Sequence, residues 1–408
     1  MVKDFKYIVL IITIFIAACI ETDIYLPAFT DMMSYFSISE EEIQGLLTWN
    51  FVAICLSGPF YGPLSDALGR KKPLLFALGI FLLGSVLTVV ADNFNMMLLG
   101  RILQGVGSGG CFVLGTAIIF DVFEGEKAIH ALNRINSIVP FIMAAAPLLG
   151  GYLNLEYGFR SNFLTIAFFV LTSFLITAFF LKEPLEKTKR TSFDFPQICM
   201  KFKEVALSIP FWQTIVIVSL IFSGYLAFLS SISILFVLEL GVAKANLPYF
   251  QAALLAAWLI ANLFFKKLVN LSSLHSVKIA GTFLFCAGGV ITIGSAFLFP
   301  TNPYGVTLGM VLYALGANWV QGIYFPEGMA LFPESKGITA SFLTSARLMI
   351  AAGVVGLASH YYDATIFPIA YTIAAVVCVV FVTILFYERR RKELISHIPS
   401  DIYNNSFQ

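Results

Sequence analysis

The sequence predicts an all-α membrane protein with twelve transmembrane helices. Of its 408 residues, 59% are hydrophobic and only 12% are charged, whereas a soluble domain usually carries about 25% charged residues. The charged residues fall in short clusters between apolar runs of about 20 residues, the length that crosses a hydrocarbon core about 30 Å thick. Lysine and arginine are concentrated in alternate connections, so the positive-inside rule places both termini in the cytoplasm.

The predicted spans are joined mostly by short connections. They cover residues 7–28, 44–64, 73–92, 96–120, 131–153, 162–181, 209–237, 247–265, 276–299, 304–326, 337–360 and 366–387. The longest cytoplasmic connection divides them six plus six. We therefore expect two six-helix bundles, with an N-terminal bundle over 1–182, a linker over 183–207, a C-terminal bundle over 208–388 and a cytoplasmic tail over 389–408.

The first span carries two carboxylates, Glu21 and Asp23, where a membrane helix normally has none. An ionisable side chain at this depth costs about 3 kcal/mol on insertion scales, so it is a functional candidate. Residues two apart on a helix point about 200° from each other, so both acids face one cavity only if Pro27 loosens the turn. Residues 16–19 resemble a lipoprotein cleavage box, but the apolar run continues past them, which favours a membrane helix.

The connection between spans two and three reads GPLSDALGRKK over residues 62–72. Gly62 is expected to permit close helix contact, Asp66 and Arg70 are i,i+4 neighbours, and Gly69 supplies a tight turn. An ordinary positive-inside loop is also basic, but it does not require these glycines and this acid at these spacings. The stretch resembles the G-x-x-x-D-x-x-G-R-[RK] signature of the major facilitator superfamily.

Span four contains GRILQG, in which Arg101 and Gln104 share a helix face. This resembles the superfamily's R-x-x-Q-G signature, whose arginine is implicated in proton coupling. The alternative is an arginine that extends to the outer interface of the membrane. Asp121, at the inner end of the span, resembles an acid common in the family. The resemblance implies that Asp121 and Asp66 form a cytoplasmic charge cluster with Arg70.

Span five contains two prolines, Pro140 and Pro147, each of which removes a backbone hydrogen bond and bends the helix. The run from Ala146 through Pro147 to Gly150 and Gly151 is similar to the [GA]-P-x-x-G-G motif of the superfamily's antiporters. A kinked packing helix without a role in transport is the alternative. The resemblance assigns these residues to conformational gating, together with the residues of the 62–72 connection and Asp121.

Two further stretches narrow the resemblance. Residues 22–27, TDIYLP, resemble the T-D-x-Y-L-P segment of the Bcr/CflA-type multidrug efflux transporters, and residues 337–341 resemble that branch's helix-eleven start. The resemblance implies two bundles that rock around a central site and export compounds in exchange for protons. On this basis we expect Asp23 to carry the proton and Arg101 to tune it. Glu21 has no counterpart in the family motif, and its place in the first span makes it a second candidate acid of the site.

Arg347 departs from the family pattern, because relatives commonly have a neutral polar residue near this place. It lies roughly 15 Å from the inner end of span eleven, close to the midplane. A buried arginine needs a partner, which is Glu21 or Asp23 across the cavity, an anionic group of a substrate, or local carbonyls and water. The residues expected to line the substrate cavity are Glu21, Gln104, Tyr225, Asn318, Gln321 and Arg347.

Several function classes are disfavoured by the composition. The net charge of +1 argues against a nucleic-acid binder. The six cysteines form no CxxC and the four histidines no ligand spacing, so neither a metal nor another cofactor is expected. A membrane-embedded enzyme would need a clustered nucleophile or metal site. A channel or receptor is possible, but the resemblance to rocking bundles favours a transporter.

The sequence thus predicts a monomeric antiporter in a bacterial cytoplasmic membrane. Its expected partners are a small-molecule substrate, protons and the lipid bilayer, with no nucleic acid. Export of varied drugs or metabolites is the leading interpretation. The alternative is a dedicated exporter of one anionic metabolite, such as a carboxylate siderophore, which Arg347 motivates.

Overall fold

The structure is a computed structural model that describes residues 2–123, 141–142, 145–186, 188, 190, 200, 203, 205–332 and 336–396. Within these ranges all regular elements are helices, and eleven of them are long and apolar enough to cross a membrane. The predicted all-α membrane fold is therefore confirmed. Most of the predicted fifth span, including Pro140, and most of the predicted linker lie outside the described residues. The predicted domain boundaries stay a prediction.

The first half contains the following helices: α1 (Val2–Asp23), α2 (Phe29–Phe36), α3 (Glu40–Leu68), α4 (Lys71–Val90), α5 (Phe94–Val122), α6 (145–157) and α7 (Arg160–Phe180). Helix α3 begins four residues before the predicted span, because Ser39 and Glu42 form a capping box that satisfies the first amide groups of the helix. The acidic first turn of α3 also suits the positive end of the helix dipole.

The second half contains the following helices: α8 (Ile209–Ile234), α9 (Leu247–Leu271), α10 (Leu274–Leu298), α11 (Pro303–Ala330), α12 (Lys336–His360) and α13 (Phe367–Ser396). A π-helical turn, Leu235–Glu239, extends α8 at its outer end. Helix α13 continues past the predicted end of its span at residue 387. The hydrophobic length marks the membrane-crossing part of a helix and not the end of its hydrogen-bonded backbone.

The first membrane span is broken immediately after its two acids. Helix α1 ends at Asp23, a short 3₁₀ turn covers Leu26–Ala28, and α2 carries the span on to Phe36. Pro27 lies inside the turn, where its missing amide hydrogen is tolerated. The predicted span ended at residue 28, so this prediction was wrong about its length, because the proline redirects the helix without ending the crossing.

Glycines bring neighbouring backbones close together in both halves. A Cβ atom at Gly100 of α5 would lie 2.6 Å from Cγ2 of Thr88 on α4, and one at Gly84 would lie 2.6 Å from the Gly100 carbonyl oxygen. In the second half, a Cβ at Gly288 of α10 would lie 2.6 Å from the carbonyl oxygen of Gly309 on α11. Close approach of this kind is how membrane helices gain packing energy without a hydrophobic driving force.

The two halves contact each other from the middle of the membrane to its outer side. The terms inner and outer follow the orientation predicted from the sequence. Helix α3 packs along α12, and the Cys55 thiol donates to the Ser345 carbonyl oxygen at 3.0 Å. Nearer the outer side, the Ser233 hydroxyl of α8 donates to the Leu26 carbonyl oxygen at 2.6 Å. These contacts hold the broken first span against the second half.

Candidate functional site

Glu21 and Arg101 form an ion pair in the centre of the first half. Glu21 Oε2 lies 2.5 Å from Arg101 Nη1, and both side chains are 0% exposed. Arg101 Nη1 also donates to Gln104 Oε1 at 2.6 Å, and Nη2 donates to the Tyr25 hydroxyl at 3.1 Å. The guanidinium lies 4.3 Å from the centre of the Tyr25 ring. The alternative prediction of an arginine that extends to the outer interface is therefore wrong.

Further donors complete this network. Ser108 Oγ donates to Glu21 Oε1 at 3.3 Å, and Asn50 Nδ2 donates to Glu21 Oε2 at 3.4 Å and to the Arg101 carbonyl oxygen at 3.0 Å. Hydrogen bonds to its remaining polar atoms make a buried ion pair less costly, so these neighbours stabilise the charges, and only Arg101 Nε and Asn50 Oδ1 of the cluster lack a partner among the described residues. We call these residues the Arg101 cluster; its members are Glu21, Tyr25, Asn50, Arg101, Gln104 and Ser108.

The Arg101 cluster corrects one predicted contact. Glu21 was a candidate partner of Arg347 across the cavity, but its carboxylate is bonded to Arg101, which lies within the same bundle. Gln104 was a cavity candidate, yet it is fully buried and donates to the Ser85 hydroxyl of α4 at 3.1 Å. The close approach of α4 and α5 encloses both residues.

Asp23 has different surroundings from Glu21. It is 2% exposed, and its Oδ2 atom has no hydrogen-bond partner among the described residues. Tyr225, on α8 of the other half, lies within range of its charge. The Tyr225 hydroxyl likewise lacks a partner within that part of the chain, and its ring packs 5.2 Å from that of Trp258. Asp23 and Tyr225, two predicted site residues from opposite halves, thus each have a buried polar atom without a partner among the described residues.

Arg347 packs against aromatic rings. Its guanidinium lies 4.7 Å from the centre of the Phe222 ring and 5.8 Å from that of Phe325. Nε is buried and has no hydrogen-bond partner among the described residues, and no carboxylate in that part of the chain lies within ion-pair distance. The predicted pairing with Glu21 or Asp23 is thus not present in this structure.

The other cavity candidates of the second half lie on α11. Gln321 is 7% exposed and donates through Nε2 to the Val218 carbonyl oxygen of α8 at 3.2 Å, so it ties two helices of one bundle together. Asn318 is partly buried. Their contribution to a substrate cavity stays a prediction.

The inner end of the first half carries the charge cluster that the motif implied. Arg70 Nη1 contacts Asp66 Oδ1 at 2.5 Å, and its Nε contacts Asp121 Oδ2 at 2.6 Å. Glu183 accepts from the amide groups of Arg70 at 2.7 Å and Lys71 at 3.1 Å, at the start of α4. Burial alone would lower the pKa of Arg70, but the two aspartates raise it above its ordinary value. We call Asp66, Arg70 and Asp121 the Arg70 cluster.

The motif glycines differ in their surroundings. Gly69 adopts φ +89° at the end of α3, as the predicted tight turn requires. A Cβ at Gly62 would only make ordinary contact with Val113, 3.9 Å away, so the expected close helix packing at Gly62 is wrong. The helices approach closely at other positions, such as Gly105, where a Cβ would lie 2.8 Å from that of Ala53.

The proline-glycine motif of α6 contacts both halves. Pro147 is buried. A Cβ at Gly150 would overlap the Ile24 carbonyl at the break after α1, and one at Gly151 would overlap the Pro248 ring at the start of α9. These two positions accept no larger side chain while the halves are joined on the outer side, which is consistent with the predicted gating role.

The sequence analysis missed a second inner charge cluster. Lys278 on α10 is 6% exposed; its Nζ lies 3.1 Å from Glu327 Oε1 on α11 and 2.7 Å from Glu388 Oε1 on α13. The Tyr324 hydroxyl also donates to Glu388 Oε1 at 3.0 Å. We call these four residues the Lys278 cluster. The only sequence feature that could have indicated this cluster is the presence of charged residues near the inner ends of three apolar spans.

An ion pair and a histidine–carboxylate contact that join the halves on the outer side were also missed. Lys244 pairs with Asp31 of α2, which in turn accepts from Asn154 Nδ2 at 2.6 Å. His360 Nδ1 lies 3.0 Å from Glu41 Oε1. Their partners lie more than 200 residues apart in the chain, so no local pattern marks them.

The fold and these clusters define a two-bundle membrane transporter. A family model described as the Major Facilitator Superfamily matches residues 10–354, and the chain therefore belongs to this superfamily. It is a multi-pass membrane protein of a transporter family and not a member of an enzyme class.

Among individual proteins, the chain is similar to the Multidrug resistance protein MdtL of Escherichia coli O139:H28, with 24% identity over 326 residues, 80% of this chain and 81% of MdtL. The Escherichia fergusonii protein of the same name is 24% identical over 367 residues, 88% of this chain and 91% of its own. The xylose transporter XylE from E. coli, in a partially occluded inward open conformation, has a TM-score of 0.72 at 13% identity and covers 95% of this chain and 98% of its own.

Proposed function

We propose that this protein is a proton-coupled antiporter that exports small organic compounds across the bacterial cytoplasmic membrane by alternating access. The observation that carries the proposal is the unequal environment of its two membrane acids. Glu21 is bonded to Arg101, whereas Asp23 has an unpartnered oxygen among the described residues. Superfamily membership and the multidrug-resistance names of the relatives support the transport of drug-like compounds.

Asp23 is the acid that exchanges the proton in this proposal. Burying an unpaired charge is costly, and a neutral carboxyl group avoids that cost, so the protonation of Asp23 favours one arrangement of the halves. Glu21 is held by Arg101 and keeps the geometry of the first bundle. The membrane potential adds about 2.3 kcal/mol per charge for each 100 mV that the charge crosses.

The outer ion pairs supply the two-state element that alternating access needs. Asp31 with Lys244 and Glu41 with His360 hold the halves together on the side where a substrate would leave. Opening that side separates both pairs, and protonation of Asp23 at the neighbouring break offsets part of the cost. The protein acts as a monomer in this scheme, since all these contacts lie within one chain.

The experiment measures proton-driven uptake of ethidium, a cationic dye, into inverted membrane vesicles. The wild-type protein should accumulate the dye when the proton gradient is present and lose this uptake when the gradient is dissipated. Asp23→Asn should abolish gradient-driven uptake and still bind the dye. Asp92→Asn, on an exposed outer turn, is the control and should transport normally. Unaltered coupled uptake by Asp23→Asn would refute the assignment.

A second candidate function is the dedicated export of one anionic metabolite, such as a carboxylate siderophore. Arg347, whose guanidinium has no carboxylate partner among the described residues, favours it. Comparing the metabolites secreted by cells with and without the protein separates the two functions. A single missing organic acid, with drug tolerance unchanged, would support the dedicated exporter. Lost tolerance to several unrelated compounds would support the multidrug function.

A further inference from the structure

Arg347, which is partly buried, differs from the fully enclosed cations in the membrane part of the described chain. Arg101 is bonded to Glu21, and Lys278 is bonded to Glu327 and Glu388. Arg347 has no comparable carboxylate within the same ranges. Because an arginine in the membrane is costly unless its charge is matched, an arginine without such a partner is poised to receive one.

The aromatic rings beside Arg347 satisfy only part of its bonding capacity. The guanidinium lies 4.7 Å from the Phe222 ring centre and 5.8 Å from that of Phe325, and such contacts contribute about 0.5–2 kcal/mol. A ring face accepts no conventional hydrogen bond from a guanidinium fork, which has five N–H donors. Nε is already enclosed without an acceptor from the described residues. The two rings therefore orient the guanidinium and leave its other N–H donors available.

The position of Arg347 is suited to a transported compound. Arg347 lies eleven residues into α12, about 16 Å from the inner end of the helix. Two residues earlier, the Ser345 carbonyl accepts from Cys55 of the first half, and the Cys55 thiol is within electrostatic range of Arg347. This turn of α12 thus lies where the two halves meet, and both rings beside the guanidinium belong to the second half.

We propose that Arg347 is the anion-binding residue of the transport site and takes the carboxylate of an amphipathic organic acid. The planar guanidinium presents paired donors to the two carboxylate oxygens, and Phe222 and Phe325 pack against an apolar or aromatic body. The inference rests on the proposed transport function and adds the substrate class. It holds whether the protein exports organic acids alone or also exports cations such as ethidium, whose binding would not use Arg347.

The test compares two probes of the same shape and opposite charge, radiolabelled naphthoate and radiolabelled naphthylmethylammonium. Binding to the purified full-length protein in detergent is measured by equilibrium dialysis. The wild-type protein should bind naphthoate more tightly. Arg347→Gln should weaken naphthoate binding about 10- to 100-fold, because a charge-assisted hydrogen bond contributes about 1.5–3 kcal/mol, and should leave the ammonium probe unaffected.

Two further variants make the result specific. Arg347→Lys keeps the charge but not the fork, so naphthoate affinity should be intermediate. Lys267→Gln removes an exposed positive charge at the inner end of α9 and should bind like the wild type. The melting temperature and gel-filtration profile of each variant establish that it is folded.

Three results would overturn the proposal: wild-type protein that does not bind naphthoate, folded Arg347→Gln that binds it normally, or an equal loss of both probes. A failure of the proposed function would give a different experimental result. Ethidium uptake that ignores the proton gradient, together with Arg347-dependent naphthoate binding, would refute proton coupling and leave the anion site standing.

Discussion

The inner end of each half carries a cluster of charged residues that joins three helices, and the residues differ between the halves. In the first half, Arg70 at the start of α4 bonds to Asp66 of α3 and Asp121 of α5. In the second half, a cation near the start of α10, Lys278, bonds to carboxylates at the inner ends of α11 and α13. Both clusters tie three helices of one bundle together close to the membrane surface.

The clusters differ in their exposure to water. The Asp66 side chain is 47% exposed, whereas the two carboxylates bonded to Lys278 are 13% and 26% exposed. Water screens the Asp66 pair most strongly, so this pair contributes less stability than the pair with Asp121, whose side chain is 18% exposed. A cluster that forms and breaks during transport needs weak pairs, and one that keeps a bundle rigid needs strong pairs. The Arg70 cluster therefore fits gating, and the Lys278 cluster fits a fixed structural role.

The largest expected effect comes from Lys278→Gln. It removes the cation from two largely buried carboxylates, which costs on the order of 3 kcal/mol of folding free energy. The thermal denaturation midpoint in detergent should fall clearly below that of the wild type. Lys267→Gln, an exposed lysine on the same side, is the control. An unchanged midpoint for Lys278→Gln would remove the distinction between the clusters.

Arg70→Gln should destabilise the protein less, by about 2 kcal/mol, because water screens the Asp66 pair and solvates the freed carboxylates. Its transport rate should nevertheless fall more than that of Lys278→Gln, since the Arg70 cluster is the one assigned to gating. Ethidium uptake and denaturation are measured on the same preparations. Equal ratios of transport loss to stability loss in the two variants would contradict the division of roles.

Glu183→Gln should cost about 0.5–1 kcal/mol. The glutamine oxygen can still accept from the Arg70 and Lys71 amide groups, but the charge that suits the positive end of α4 is lost. The difference in midpoint between Glu183→Gln and the wild type should be larger at low salt than at high salt, because salt screens the interaction of the charge with the helix dipole. A loss as large as that of Arg70→Gln would make Glu183 a full charge partner of the cluster.

The smallest expected effect is that of Asp66→Asn, at about 0.5 kcal/mol or less. The side chain is 47% exposed and Arg70 keeps its bond to Asp121, so little charge is left unmatched. Denaturation of Asp66→Asn and Asp121→Asn under the same conditions provides the comparison. If Asp66→Asn proved the more damaging of the two, the exposure argument would fail.

The Arg70 cluster was predictable because its motif is compact: Asp66, Gly69 and Arg70 are neighbours in the chain, and a known family signature marks them. The Lys278 cluster has no such signature. Lys278 and Glu388 are 110 residues apart, and each reads locally as an ordinary charge at the end of a span. Lys266 and Lys267, at the inner end of α9, are exposed, and it is Lys278 that bonds to the two carboxylates.

At the candidate site too, the sequence did not identify which residues contact the two membrane acids. Helical periodicity was enough to place Glu21 and Asp23 on opposite faces. It did not identify their neighbours, which depend on how α1 is rotated against α5 and α8. The rotation is set by packing, including the close approach of glycine backbones. It pairs Glu21 with Arg101 and leaves one Asp23 oxygen without a partner among the described residues.

By itself, the sequence determined the membrane class, the approximate positions of the spans and the family, because hydrophobic length and short motifs are local properties of the chain. Only the tertiary structure decided which buried charges are matched. An ion pair depends on distance in space, and helices that lie far apart in the chain meet only after the bundles have packed. The enclosed pair of Glu21 and Arg101 and the open guanidinium of Arg347 are both products of that packing.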